Sequence, residues 1–317
     1  MSSTQHTLLL PACPGCGATG GEEFEIGAAH LRRCARCGLV HTVRHADPDK
    51  VYVDGYLDGS TSFGIDTRPA RWQRFLVANA ARRLRLVEAL RGGPGRLLDV
   101  GCGSGELLEA ARRRGWTVAG CDPVEASARR AAERGLDARA TRLADSGFPP
   151  GRWDLVSALH VLEHMVDGPA FLSELAAWAR PGGLVMVEVP NWASRWRVVH
   201  GERWPSLRPL EHLAHHTPAT LDATLRRAGL VPVSITTPIY RSREETLDER
   251  LHNLGREDLR RRWRRLSVPA TVEGGRTRRA GPLLGPLLVA EARRQERAHH
   301  GHVVLGLART AHHPAAG

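Results

Sequence analysis

The stretch RLLDVGCGSGELLEAARRRGW, residues 96–116, decides how the rest of this sequence is read. A short apolar run, Leu97 to Val100, meets three glycines at Gly101, Gly103 and Gly105, and a helical pattern starts at Glu106. Strand, glycine turn and helix, in that order, is how open α/β sheets hold a nucleotide. A lone glycine turn also has a plainer explanation, since many α/β loops need glycine for positive φ. The segments around it therefore carry the weight.

Outward from the turn, strands and helices alternate. Strands are expected at 97–100, 117–121, 137–141, 154–159 and 184–189, and helices at 106–114, 124–134 and 169–180, each closed by glycine or Pro-Gly-Gly. Such alternation implies βαβ units on a parallel sheet. A helix is expected upstream at 68–92, where Phe75, Leu76, Ala80, Leu84, Val87 and Leu90 recur at helical spacing. Downstream lies a loop rich in Trp, His and Pro, 191–216. It leads into a helix with Thr217 as N-cap, Pro218 at its first position and Gly229 past its end. Two last strands read at 231–240 and 300–309, separated by an arginine-rich helical insertion at about 241–298.

The details of the turn bear on which nucleotide it suits. A dinucleotide fingerprint wants its third glycine three places after the second, where the pyrophosphate rests on the helix N-terminus. Glu106 stands there, and a carboxylate opposes a pyrophosphate. S-adenosylmethionine has no phosphate and carries a sulfonium and an ammonium, so an acidic mouth suits it better than NAD. Asp122 closes the next strand, at the distance from the turn where a carboxylate can accept both ribose hydroxyls.

The stretches LLDVGCGSGELL, GCDPVEASARRAAERG, GRWDLVSALHVLEHMVDG and ARPGGLVMVEVPN together resemble the class I S-adenosylmethionine-dependent methyltransferases, over residues 68–230 and the closing strands. The resemblance implies an α/β, Rossmann-like doubly wound fold. Its seven-stranded sheet would have the order 3-2-1-4-5-7-6, with the last strand antiparallel. It also implies that Asp99, Gly101 and Gly103 flank the methionine part, with Gly105 in the same turn. Asp122 would hold the ribose, and Pro123 and Leu143 would line the adenine. His160 follows the strand at 154–159, and open α/β sheets bind ligands at that carboxyl edge, so it is expected beside the cofactor.

The N-terminal residues 1–66 read as a separate zinc-ribbon segment and linker, ahead of the cofactor-binding domain at 67–317. Cys13 and Cys16, then Cys34 and Cys37, form two Cys-x-x-Cys knuckles, which offer four thiolates for a tetrahedral Zn²⁺. A redox pair is the rival reading, and two matched knuckles argue against it. A closed four-thiolate shell is structural, since catalytic zinc needs an open position. Cys102 and Cys121 are expected to be small packed residues.

His160, Glu163 and His164 match an H-x-x-E-H peptidase pattern, but here the pattern follows a strand instead of lying on a long helix. In the later loop, Glu211 beside His212 resembles the pair that sugar C-methyltransferases of antibiotic pathways carry after strand five, enzymes that also begin with a zinc-binding segment. The resemblance implies His212 as general base with Glu211 supporting it, and His160 or His164 orienting the acceptor. The stretch from Gly201 also resembles plainer bacterial methyltransferases, and His215 and His216 can simply precede the N-cap.

The net charge of +11 raises the question of an anionic partner, but of 45 Lys and Arg residues only Lys50 is lysine. Dispersed surface arginine is the preferred explanation. No apolar run approaches the ~18 residues of a membrane span, and paired cysteines suit a reducing compartment, so the cytoplasm is expected. The first reading is methyl transfer to oxygen or carbon of a polar small molecule, such as a sugar or another natural-product or cell-surface intermediate. The alternatives are an RNA methyltransferase gripping phosphates through Arg260, Arg261, Arg262, Arg264 and Arg265, and a non-catalytic cofactor-binding module.

Overall fold

The computed structural model describes residues 7–47, 51, 53, 70–238 and 302–311. The insertion expected at about 241–298, with its arginine cluster, lies outside the described residues.

The N-terminal part is built on short strands. β1 (Thr7–Leu9) precedes β2 (Gly21–Ile26), β3 (Ala29–Cys34), β4 (Val40–Thr42) and β5 (Arg44–Ala46). β1 pairs with β5, while β2, β3 and β4 form an antiparallel meander. β3 escapes the sequence reading because His30, Arg32 and Arg33 crowd it, yet Ala29 and Leu31 are buried at strand spacing and Cys34 is buried at its end.

α1 (Ala70–Arg91) then leads into the alternating region: β6 (Arg96–Val100), α2 (Glu106–Arg112), β7 (Thr117–Asp122), α3 (Glu125–Glu133) and β8 (Asp137–Ala140). β9 (Trp153–Leu159), α4 (Gly168–Trp178) and β10 (Ala179–Pro190) continue it. α5 (Arg195–His200), β11 (Ala214–His215), α6 (Pro218–Arg227), β12 (Val231–Thr236) and β13 (Val303–Arg309) complete the described elements.

The main sheet has seven strands in the order β8-β7-β6-β9-β10-β13-β12. Counted from β6, that is the expected 3-2-1-4-5-7-6. β13 runs antiparallel to both β10 and β12, and the other pairings of β6 to β10 are parallel.

Strand pleating explains the two-sided core. Leu98, Val156, Val185 and Val187 face α4 and α6 in one apolar cluster with Leu172, Leu175, Leu221 and Leu225. Their strand neighbours Leu97, Leu155, Leu184 and Met186 pack on the other face with Leu84 and Val87 of α1 and Leu108 of α2. Burial on both faces is why these strands read as continuous apolar runs. Caps fix two helix starts: Asp167 accepts from the Ala170 N–H, and Thr217 and Thr220 form a reciprocal capping box.

Two boundaries depart from the sequence reading. The helix expected to Arg180 stops at Trp178, because Ala179 already pairs with Trp153, and the ladder resumes at Leu184 beyond the Pro-Gly-Gly irregularity. The segment read as loop contains α5 and β11. β11 pairs antiparallel with β4, Ala214 opposite His41 and His215 opposite Val40, so the second sheet has the order β11-β4-β3-β2.

Candidate active site

The glycine turn sits at the carboxyl end of β6, where open α/β sheets bind ligands. Gly101 and Gly105 adopt φ of 72° and 84°, in the left-handed region. A Cβ on Gly101 would meet Val161 Cγ2 at 2.5 Å, so the turn lies directly against the segment that follows β9. Cofactor turn and histidine segment thus share one edge.

Asp122 stabilises the turn. Its Oδ2 accepts the Gly103 N–H at 2.9 Å and its Oδ1 accepts the Val124 N–H at 2.9 Å. Asp99 is buried beside it, accepting from Ser157 Oγ at 2.7 Å. Burial pushes the Asp99 carboxyl up to about 7, with the Ser157 bond opposing the rise. Burial also raises Asp122, against its two backbone bonds. Glu106 at the helix start is approached by Arg134 at 3.7 Å. Pro123 is exposed directly after Asp122, and Leu143 is buried in the apolar core near Phe148.

His160 ends β9 with φ of 57°, its N–H bonded to the Glu188 carbonyl at 2.8 Å. Its ring lies between two carboxylates, with Nδ1 3.2 Å from Glu163 and Nε2 3.3 Å from Glu188. Burial disfavours the imidazolium, but the two carboxylates outweigh it and push His160 up to about 10. Glu188, within β10, is fully buried and grips Arg83 of α1 through both oxygens. Burial would raise this carboxyl, yet Arg83 and His160 hold it at about 2.

Sequence reasoning missed the Arg83–Glu188 pair, although each partner left a signal. Glu188 is the one charge within the apolar run 184–190, and Arg83 stands on the same helical stripe as Ala80, Leu84 and Val87. A charge in either place demands a partner.

The backbone brings the two histidine segments together, since the Leu213 N–H donates to the Glu163 carbonyl at 2.7 Å. The rings of His164 and His212 meet edge to face, centroids 4.8 Å apart. His164 Nδ1 donates to the Glu211 carbonyl at 2.8 Å, and His212 Nδ1 to the Ser206 carbonyl at 2.9 Å. Burial lowers both imidazoles, His212 well below its ordinary value with His164 adding to the effect. The Glu211 carboxylate pairs with Arg208 at 2.8 Å, and it is the Glu163 carboxylate that lies within the His164–His212 group.

His215 and His216 are both buried, and His215 packs against Trp192 and Trp204, ring centroids 5.0 and 6.1 Å away. The Trp192 N–H donates to the His216 carbonyl at 2.8 Å. This pair therefore does more than precede the N-cap.

The four ribbon cysteines converge. Cys13 and Cys37 Sγ lie 3.6 Å apart, Cys16 and Cys34 3.5 Å, and all four sulfurs fall within 4.8 Å of one another. Thiolates around a tetrahedral Zn²⁺ sit ~3.8 Å apart, given a Zn–S distance of ~2.3 Å, so the donor set fits that ion. Cys102 and Cys121 are buried, unpaired thiols packed in the core.

Comparison with known proteins places the chain. The Ubiquinone biosynthesis O-methyltransferase of Rhodopseudomonas palustris strain BisB18 is 34% identical over 156 residues, 43% of this chain and 61% of that protein. That of Bradyrhizobium strain ORS 278 is 42% identical over 107 residues, 31% of this chain and 42% of the relative. The chain thus spans less than two thirds of these relatives' length. Among solved structures, the 1,6-didemethyltoxoflavin-N1-methyltransferase of Burkholderia thailandensis is 18% identical, covering 92% of this chain and all of its own, with a TM-score of 0.48. A SAM dependent methyltransferase from Archaeoglobus fulgidus is 19% identical, covering 74% of this chain and 94% of its own, with a TM-score of 0.46. The family described as methyltransferase domain matches residues 70–235, half of the sequence, and the chain belongs to that family.

Proposed function

We propose that the chain transfers a methyl group from S-adenosylmethionine to a polar small molecule, with a hydroxyl oxygen favoured over carbon because the curated relatives described above are named as O-methyltransferases. The observation that carries the reading is the acidic glycine turn, where Asp122 is buried against Gly103 and Asp99 is buried nearby against Ser157. Two carboxyls oppose a pyrophosphate and attract an ammonium or sulfonium. A cation docking beside Asp99 draws its carboxyl back to the ionised form. Asp122 spends two of its roughly four lone-pair sites on backbone N–H groups and keeps the rest for the ribose diol. Gly101, Gly103 and Gly105 let the backbone approach the cofactor, with Pro123 and Leu143 on the adenine side.

Methyl transfer is an in-line displacement: the acceptor oxygen attacks the methyl carbon, the C–S bond breaks toward sulfur, and the hydroxyl proton must leave. The neutral imidazole of His212, with Nδ1–H donated to Ser206, presents Nε2 as proton acceptor, His164 stands against it, and His160 orients the acceptor from the strand end. Cys13, Cys16, Cys34 and Cys37 hold one structural Zn²⁺. Among the described residues no helix is long and apolar enough to cross a membrane, and the thiolates suit a reducing compartment such as the cytoplasm.

Calorimetric titration with S-adenosylmethionine, S-adenosylhomocysteine and NADH tests the reading. Binding of the first two without NADH is expected, and Asp122→Ala should weaken both by about 2 kcal/mol, roughly 30-fold. Binding of NADH alone would overturn it.

A further inference from the structure

We infer that Arg33 and Arg197 bind a phosphate monoester at the seam between the N-terminal meander and the 191–216 loop. Neither residue belongs to the cofactor turn, the histidine group or the four cysteines.

Strand register fixes which face carries Arg33. It stands opposite Val40 of β4, and Val40 stands opposite His215 of β11, so the three form one cross-strand row. Directly paired residues share a face, and Leu31, two positions before Arg33, lies on that face as well. This is the face that packs on the loop, since Leu31, Val40, Trp192 and Trp204 form one apolar cluster. At ~4.8 Å per strand, the Arg33 and His215 backbones are ~10 Å apart. Arg197 reaches the same place from α5. Its guanidinium lies over the Trp192 ring, Cζ 4.3 Å from the centroid, and that ring is 5.0 Å from the His215 ring. Arg33 lies over Phe24 at 5.9 Å, and the Phe24 and Trp192 centroids are 6.4 Å apart. Two guanidiniums thus rest on adjoining rings.

The pair lacks counter-charge. On the opposite face, Arg32 gives its Nε–H to Glu23 at 3.0 Å and an Nη1–H to the Pro11 carbonyl at 3.1 Å. The Arg33 side chain has no hydrogen bond or ion pair among the described residues, although Glu22 stands opposite it in β2. Arg197 gives its Nε–H to the Trp192 carbonyl and likewise has no carboxylate partner among the described residues. Burial, and after it the Arg33 charge, lowers Arg197 from its ordinary value. Arg33 is exposed and Arg197 half-buried, so a ligand from solvent meets both. One guanidinium fork satisfies a carboxylate, whereas a phosphate monoester brings three acceptor oxygens and close to two charges for two forks.

The role of the site rests on the methyl-transfer reading, although anion binding itself does not. Trp192 follows β10 at the sheet edge that carries the cofactor turn, and its N–H donates to the His216 carbonyl. The phosphate is therefore that of the methyl acceptor, held while the acceptor hydroxyl faces the cofactor.

Phenyl phosphate tests the site, by calorimetric titration of the full chain at about pH 8, where the monoester is a dianion. Binding about tenfold tighter than that of benzoate is expected. Arg33→Gln, at an exposed position, and Arg197→Lys, which keeps the charge and loses the fork, should each weaken it about fivefold or more. No binding to the unmutated chain, benzoate bound as tightly, or unchanged affinity in both variants would overturn the inference. So would a short single-stranded RNA that binds roughly 100-fold tighter than phenyl phosphate and depends on Arg33 in the same way, since the pair would then be a nucleic-acid contact. S-adenosylmethionine titration of the same samples separates the two ideas. Phosphate binding without cofactor binding would sink the methyl-transfer reading and leave the anion site standing; cofactor binding without phosphate binding would sink the anion site alone.

Discussion

Arg83→Met isolates the ion pair that ties α1 to the centre of the sheet. The side chains of Arg83 and Glu188 are 7% and 0% exposed, so the substitution leaves a carboxylate with no access to water. Breaking a buried pair by removing one partner costs ~3–5 kcal/mol. His160 remains 3.3 Å from Glu188 and still opposes its charge, which puts the expected loss near the low end, about 3 kcal/mol. Replacing both partners tells a different story, because a well-packed apolar pair avoids desolvation altogether. Arg83→Met/Glu188→Leu should recover most of the loss, to within about 1 kcal/mol of the unmutated chain. Urea unfolding followed by circular dichroism and tryptophan fluorescence gives all the values. If Arg83→Met alone shifts stability by less than about 1 kcal/mol, or the double variant is simply additive, the pair is not the desolvated bond described.

Gly101→Ala places a methyl group 2.5 Å from Val161 at positive φ. Left-handed backbone and overpacking together should cost about 2–4 kcal/mol and weaken S-adenosylmethionine binding; unchanged stability and affinity would contradict the turn geometry. Burial holds His215 at about 3 and His216 at about 4, below the ordinary value near 6.5. They contribute no pH dependence above ~7, but as pH falls through 6.5 the unfolded chain takes protons that the folded chain refuses. Each should then remove about 2 kcal/mol by pH 5, measurable as a falling urea midpoint that His215→Gln flattens. A pH-independent midpoint between 7 and 5 would count against their burial. Metal analysis of the purified chain should find about one zinc per chain bound by thiolates, and Cys13→Ser should lose it; full zinc content in the variant would remove the ribbon assignment.

The parallel half of the sheet was legible because its signals are local. Glycine turns, apolar runs of strand length and caps such as Thr217 each report on a few neighbouring residues. What stayed hidden is non-local. β11 is two residues long and exists only because β4, more than 170 positions earlier, offers it an edge. Arg83 and Glu188 meet across 105 residues, and no periodicity announces a partner at that range. In the site, the Glu211 carboxylate, next to His212 in sequence, turns toward Arg208, while Glu163 reaches the histidines from another loop.

The strand shared between the N-terminal meander and the later loop also has a consequence for synthesis. β2, β3 and β4 emerge early from the ribosome, but the strand on the far edge of β4 is Ala214–His215. At ~5–20 residues per second, the edge of β4 waits on the order of 10–35 s for its neighbour. Throughout that interval it presents unpaired N–H and C=O groups, the kind of template on which nascent chains aggregate. His41 at the centre of β4 and Arg44 just beyond it make that waiting edge polar. A nascent chain stalled before residue 214 would expose it indefinitely, so the yield of correctly folded protein depends on how quickly translation crosses the region from 43 to 213.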